Sequence, residues 1–263
     1  MYEKNRRPAR PAVAAPAEET EGQLEGRNAL QEALRSGRTV DKVFIAAGEI
    51  DRGLQRLAAE AKEAGAVVVP VDRRKLDAMS FTHAHQGVIA LAAAHVYYSI
   101  DDILEEAASR GEAPLIVICD ELSDPHNLGA ILRSAECAGA HGVIIPKRRS
   151  VGLTATVAKA SAGAVEYMKV ARVTNISAAI AELKQKGVWV FGTAAEGSIP
   201  MYQADLSGPA AIVIGSEGDG MSQLVRKNCD VMVNIPMKGR ISSLNASAAA
   251  SILLYEALRQ RLG

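Results

Sequence analysis

The sequence predicts an α/β protein whose larger part is a mainly parallel sheet covered by helices on both faces. Two observations carry this. Short, nearly continuous apolar runs such as "PLIVIC", "HGVIIP" and "AAIVIG" read as strands buried on both sides, because a half-exposed strand would alternate. The segments between them place apolar residues three and four apart, the period of a helix. The hydrophobic fraction of 48% is enough for a full core, while aromatics make up only 4%, so the helices must pack through small side chains, chiefly Ala.

Residues 1–22 hold Pro, Ala and charge without a period and are expected to be a disordered tail, with Lys4, Arg6, Arg7 and Arg10 against Glu3. A small α/β unit is expected over residues 23–95. In "EGRNALQEALRSG", Ala29, Leu30, Ala33 and Leu34 form the stripe of a short helix that Gly37 stops. "KVFIA" reads as a strand, "IDRGLQRLAAEAKEAG" as a helix, and "AVVVPV" and "GVIALAA" as further strands. Residues 96–112 are placed as a linker that contains a helix opened by Asp101 and Asp102. The unit over 113–263 then alternates strand and helix without an internal repeat. "PLIVICDEL", "HGVIIP", "VEYMKVA", "VWVFGTAA", "AAIVIG" and "DVMVNIP" are its strands. "NLGAILRSAECAG", "LTATVAKAS" and "ISAAIAELKQKG" are helices, with a short helical piece before "DVMVNIP". The long closing helix lies in "SLNASAAASILLYEALRQRL", with Ser242 or Ser243 as its N-cap and Asn245 in its first turn. Trp189 is expected in the core.

Lys+Arg and Asp+Glu both total 30, so any surface for an anionic polymer must be a local patch. Cys119, Cys137 and Cys229 form no C-x-x-C pair and read as buried free thiols, so neither a metal site nor a disulfide is expected. No run reaches the ~18 apolar residues of a membrane helix. The N-terminus has no secretory apolar region. A soluble, cytoplasmic protein is the expectation.

The segment "GSEGDGM" follows the strand "AAIVI" and places Gly215, Gly218 and Gly220 as G-x-x-G-x-G. A dinucleotide fingerprint has the reverse spacing and follows the first strand; a phosphate-binding P-loop pattern is missing altogether. The glycines still permit a ligand to approach the backbone closely. Downstream, "NIPMKGRISSLNASAAAS" ends a strand at Ile235-Pro236-Met237 and opens the last helix with Ser-Ser-Leu-Asn. Late loops of small polar residues can surround an adenosine. Upstream, Asn127 stands at a helix mouth and Arg133 nearly two turns in, with Leu128, Ile131, Leu132 and Ala135 as the buried stripe.

Together, "NLGAILRSAECAG", "IVIGSEGDGM" and "NIPMKGRISSLNASAAASILLYE" resemble the three signature motifs of the SpoU (TrmH-type) RNA ribose 2'-O-methyltransferases of the SPOUT superfamily. "EGRNALQEAL" and "HQGVIAL" resemble the start and end of that family's small ribosomal-protein-like substrate-binding domain. The resemblance implies a C-terminal parallel-sheet domain with a deep trefoil knot. It also implies S-adenosylmethionine bound in a bent form, and a homodimer with catalytic sites near its interface. Carried over by position, Asn127, Arg133, Glu217 and Asn245 would be catalytic. Thr193, Ala194, Gly215, Glu217, Gly218, Ile235, Met237, Ser243, Leu244 and Asn245 would surround the cofactor, with Gly215, Ile235 and Leu244 contacting it largely through the backbone.

The implied reaction is an in-line attack of a ribose 2'-oxygen on a methyl carbon. Guanidinium groups hold their proton, so Arg133 is read as gripping a phosphate and stabilising a developing alkoxide rather than as a base. Glu217 would orient Arg133 or Asn127. Lys147 and Arg148, with Arg149, join Lys238 and Arg240 as a phosphate-binding rim. Arg27 and Asn28 are a second RNA-contact candidate, and His83 and His85 read as hydrogen-bonded loop histidines. The implied substrate is a guanosine of 23S rRNA, because the small N-terminal domain resembles the rRNA-modifying branch. A tRNA substrate, and an RNA-binding assembly factor with dispensable methylation, are the alternatives.

Overall fold

Two sheets organise the chain in the computed structural model, which describes residues 22–48, 51–93, 95–194, 198–216 and 220–263. The N-terminal sheet contains β1 (Gln23–Glu25), β2 (Val40–Ala46), β3 (Val67–Val71) and β4 (Val88–Ala92) in the order β1-β4-β2-β3, with β2 and β3 parallel. Helices α1 (Arg27–Arg35) and α2 (Arg52–Glu63) bury Leu30, Ala33, Leu54 and Leu57 against Val43 and Ile45 of β2. Helix α3 (Arg73–Met79) covers the opposite face, with Leu76 against Val71 and Ile89. The sequence reading missed β1, three residues long, and α3, whose single buried residue Leu76 leaves no stripe to read. The tail, residues 1–21, lies outside the described residues.

The segment between the sheets holds α4 (Ile100–Arg110), opened by a capping box between Ser99 and Asp102 and closed by left-handed Gly111. The remaining elements are β5 (Leu115–Cys119), α5 (Pro125–Cys137), β6 (Gly142–Pro146), α6 (Ala155–Ala160), β7 (Lys169–Val173) and α7 (Ile176–Gln185). After them come β8 (Trp189–Thr193), β9 (Ile199–Pro200), β10 (Ala210–Ile214), α8 (Gln223–Asn228), β11 (Val231–Asn234) and α9 (Ala246–Leu262). The sheet order is β7-β6-β5-β10-β8-β11-β9 and every pair is parallel, as the continuous apolar runs predict. Both faces are covered. Leu115, Val117 and Cys119 pack with α5 and α9, while Ile116 and Ile118 pack with Ile103 of α4 and Ile180 of α7.

Several local expectations are corrected. Helix α5 starts at Pro125 with Asp124 as its cap, so Asn127 falls inside its first turn. In "VEYMKVA" the strand begins only at Lys169, and Ala164–Glu166 form a 3-10 turn. Helix α9 is capped by Asn245, not by Ser242 or Ser243, because the Asn245 carboxamide accepts from the backbone of Ser247 and Ala248. Trp189, the first residue of β8, is 58% exposed rather than in the core, which the strand enters at Val190. Cys119 is buried and its thiol is pushed up to about 12 by desolvation and by Asp120; Cys137, on the outer face of α5, is exposed. Among the described residues no helix is long and apolar enough to cross a membrane, and no cluster of His, Cys, Asp or Glu could hold a metal ion.

Candidate functional site

Because the strands of the larger sheet are all parallel, the loops after β5, β6, β8, β10 and β11 gather along one edge. The chain runs outward from β5 through β6 to β7 and resumes with β8 on the other side of β10. The switch point therefore lies between β5 and β10, where open α/β sheets bind their ligands.

Close to that point is a cavity of about 400 Å3. Its walls are Thr193 and Ala194 after β8, Ile214, Gly215 and Ser216 after β10, Ile235 and Met237 after β11, and Ser243, Leu244 and Leu253 leading into and along α9. Among the cofactor candidates in the described residues, only Asn245 does not line the wall, and it sits between two residues that do, Leu244 and Ala246. Glu217 and Gly218 lie outside the described residues. Gly215 is dictated by space. A Cβ there would fall 2.4 Å from the backbone of Gly220 and Met221, where the chain returns through a bridge between Ser216 and Gly220. Thr193 turns its hydroxyl to the Val213 carbonyl (3.0 Å), which ties the β8 end to β10. At the end of β5, Asp120 accepts from the Ser222 amide (2.9 Å) and fixes the far side of the glycine loop.

Asn127 and Asn245 meet, although 118 positions apart in the chain: Asn245 Nδ2 donates to Asn127 Oδ1 at 2.9 Å. The other end of the Asn245 carboxamide accepts from Ser247 N (3.0 Å) and Ala248 N (3.3 Å). One side chain thus caps α9 and links it to the first turn of α5. A second tie, Ser134 Oγ to Ser251 Oγ at 2.7 Å, continues the contact along both helices.

Arg133 stands apart from this group. It lies on the exposed side of α5, away from the cavity wall, and makes no hydrogen bond or ion pair among the described residues. Six helical positions separate it from buried Asn127, which turns it roughly 120° away around the axis.

The cationic candidates divide into three places. Lys238 and Arg240 are exposed on the loop that carries Met237 and Ser243. Lys147 and Arg148 follow β6; Arg148 and Arg149 line a groove with Lys42 and Val67–Pro70 of the small sheet. Arg27 is engaged by both oxygens of Asp51 (2.9 and 2.6 Å) and by the Gln86 carbonyl (3.3 Å), beside Asn28 in a pocket between α1 and α2. His85 is buried and bonded to Asp77 (2.9 Å) and the Gly87 amide (3.0 Å); His83 is exposed.

Sequence reasoning missed Arg226, the only cation on the cavity wall among the described residues, along with Met221 and Asn234. Arg226 follows the glycine loop in "SQLVRKN", one turn into a six-residue helix whose buried residue is its neighbour Val225, too short to show a pattern.

Comparison with known proteins accounts for this arrangement. Residues 114–255 match the SpoU rRNA Methylase family, and residues 23–98 match the family described as RNA 2'-O ribose methyltransferase substrate binding. YacO of Bacillus subtilis, a TrmH family protein whose name covers both tRNA and rRNA, is 48% identical over 236 residues, 90% of this chain and 94% of its own. The 23S rRNA (guanosine-2'-O-)-methyltransferase RlmB of Ralstonia nicotianae is 44% identical over 240 residues, 90% of this chain and 95% of its own. Among solved structures, the SpoU methyltransferase AviRb from Streptomyces viridochromogenes, in complex with AdoMet, matches with a TM-score of 0.59 at 26% identity, covering 91% of this chain and 90% of that one. With both sheets matched and relatives aligned along nine-tenths of its length, the chain belongs to the SpoU rRNA methylase family, RNA 2'-O-methyltransferases that use S-adenosylmethionine.

Proposed function

We propose that this protein methylates the ribose 2'-hydroxyl of a guanosine in 23S rRNA, in the cytoplasm, as a homodimer. In this reading residues 23–95 bind RNA, 96–112 connect, and 113–263 form a knotted catalytic domain. The observation that carries it is the cavity near the switch point, which joins the three late loops after β8, β10 and β11. Its volume falls within the roughly 300–1,000 Å3 typical of small-molecule sites. Ile214, Ile235, Leu244 and Leu253 suit an adenine ring, the loop backbones suit its polar edges, and Arg226 suits a carboxylate. S-adenosylmethionine held there supplies an activated methyl group.

The chain's own residues do the rest. Asn245 and Asn127 hold the start of α9 against α5, so the wall made by Leu244 keeps its place. Arg133, exposed and unpaired among the described residues, is available to a phosphate or to the oxyanion that develops at the 2'-oxygen. Lys238 and Arg240 are exposed on the loop between Met237 and Ser242, both of which line the cavity, and are suited to attract the RNA backbone.

Support for 23S rRNA comes from the relative in Ralstonia nicotianae and from the match to a substrate-binding domain. A tRNA substrate is the second reading, which the tRNA/rRNA name of the relative in Bacillus subtilis leaves open. The test is transfer of tritiated methyl from S-adenosylmethionine to total RNA of a strain lacking the enzyme, with Arg133→Ala in parallel. Label in 23S rRNA as an alkali-resistant 2'-O-methylguanosine dinucleotide, lost with Arg133→Ala, supports the proposal. Label in tRNA alone selects the second reading.

A further inference from the structure

The small sheet meets the large one through a buried ionic contact that the chemistry of methyl transfer does not require. Asp41 lies in β2 where the register with β4 slips between Val40 and Lys42. Such a bulge re-aims a side chain. Val40, Val43 and Ile45 all stay in the small core, and Asp41 points instead toward the other domain. There Arg172, on β7, donates Nη1 to Asp41 Oδ1 and Nη2 to the Asp41 carbonyl (3.0 Å). Tyr97, from the connecting segment, donates to Asp41 Oδ2 (3.2 Å), accepts from the Leu153 amide (2.8 Å), and lies against the guanidinium, 5.2 Å from ring centre to Cζ. The side chains of Arg172 and Asp41 are 8% and 9% exposed. Gly152 closes the site: a Cβ there would fall 2.4 Å from Asp41 Oδ2 and 2.8 Å from the Tyr97 hydroxyl.

A buried ion pair adds little net stability over an apolar contact of the same shape, and breaking one partner strands a charge. Arg172 Nε even remains buried without a partner among the described residues. Such a contact is better suited to selecting one geometry than to adding stability. Domains joined by a short segment otherwise move relative to each other. β7 is also the terminal strand of its sheet, and its outer edge is bridged by Tyr98 of the connecting segment, whose amide donates to the Val170 carbonyl (2.8 Å), so the small domain docks beside that edge.

We propose that Asp41, Arg172 and Tyr97 are positioning residues that lock the small domain in one orientation, so that the groove between β3 and the loop after β6 becomes a fixed track for an RNA backbone. Lys42 and Val67–Pro70 form one bank; Arg148 and Arg149 form the other. The groove opens on the carboxyl edge of the large sheet. Its β6 loop follows a strand two positions from β10, about 10 Å away at the usual strand spacing. Orientation of one RNA by both domains raises the effective concentration of the target ribose at the cavity. The identity of the polymer rests on the methyltransferase reading, whereas the lock does not.

The test places spin labels at Lys62 and Tyr167, both exposed, in the full chain carrying Cys137→Ser and Cys229→Ser. The labelled protein is mixed with excess unlabelled protein, so that the two spins of a pair belong to one protomer, and their separation is read by double electron–electron resonance. The parent gives one narrow distance; Asp41→Asn and Arg172→Gln broaden it. Gly152→Ala, which removes no charge, provides an independent second disruption. In steady-state methylation the same variants raise the RNA KM by at least ~10-fold while kcat and the S-adenosylmethionine Kd change less than ~3-fold. A broad distance in the parent, or a narrow one in all three variants, overturns the lock. Broadening with an unchanged RNA KM overturns the track. Narrow parent distances with no methylation of any RNA leave the lock standing and sink the functional reading instead.

Discussion

Gly215 and Arg133 make opposite demands on the same reaction. A methyl group at Gly215 has nowhere to go, because the returning backbone of Gly220 and Met221 occupies the position. Gly215→Ala must therefore push the two arms of the glycine loop apart and deform the wall of the cavity. We expect S-adenosylmethionine affinity to fall at least ~10-fold by calorimetry, with a stability loss of about 1–3 kcal/mol from overpacking. Arg133 is off the wall, so Arg133→Ala should leave that affinity within ~2-fold while lowering kcat by ~100-fold or more, the scale of losing one transition-state donor. A matching loss of cofactor affinity in Arg133→Ala would place its side chain inside the cavity and refute this division. Asn245 combines two structural duties, so Asn245→Ala should cost about 1–2 kcal/mol in urea denaturation through the lost cap of α9 and should also loosen Asn127.

At the scale of elements, β1 holds the small domain through Glu25. Its carboxylate accepts from Phe81 N (2.8 Å), Thr82 N (3.1 Å), Ser80 Oγ (2.8 Å) and Gln23 Nε2 (2.8 Å), and also from the Thr82 hydroxyl. Burial exerts the largest single effect, upward, but the hydrogen bonds from Thr82, Phe81, Ser80 and Gln23 together outweigh it and lower the pKa from 4.5 to about 2. A depressed folded value stabilises the native state above the unfolded pKa, and that contribution is lost as pH falls from 4.5 to about 2. Glu25→Gln should thus cost about 1–2 kcal/mol at neutral pH, after discounting for partial exposure, and the gap to wild type should close toward pH 2. Equal stability at pH 7 would show that the 80–87 loop does not depend on this charge. Little of this was legible in the sequence: β1 is too short for a period, and its partners lie more than fifty positions away. Strands buried on both faces were legible, since a continuous apolar run has few other homes. The cofactor loops could be named from their motifs, yet the side of α5 that Arg133 occupies depends on how that helix seats on the sheet. The Asp41–Arg172 contact spans 131 positions and relies on a bulge that no local pattern announces.

The whole molecule carries equal numbers of acidic and basic residues, 30 of each, so it has no net field to draw RNA from a distance. Affinity for RNA must come from short-range contacts, and their number can be read from salt dependence. Of the five described cations on the two carboxyl-edge loops, Lys147, Arg148, Lys238 and Arg240 make no ion pair among the described residues, while Arg149 is paired with Glu121 at 3.0 Å. Each phosphate neutralised on single-stranded RNA contributes about −0.7 to the slope of log K against log salt, so these four together predict a slope of about −3. Filter binding of a 23S rRNA fragment between about 50 and 300 mM KCl measures it. Lys238→Ala with Arg240→Ala should halve the slope, and Lys147→Ala with Arg148→Ala should do the same by removing the other loop's pair. If the pairs act separately the two losses add, because the loops follow different strands of the sheet. A slope near −6 that neither pair changes would assign binding elsewhere, and Lys4, Arg6, Arg7 and Arg10 of the tail are the next cations to remove. A slope that collapses entirely with one pair would mean that the other loop never reaches the backbone, and the RNA path would then run over one loop alone.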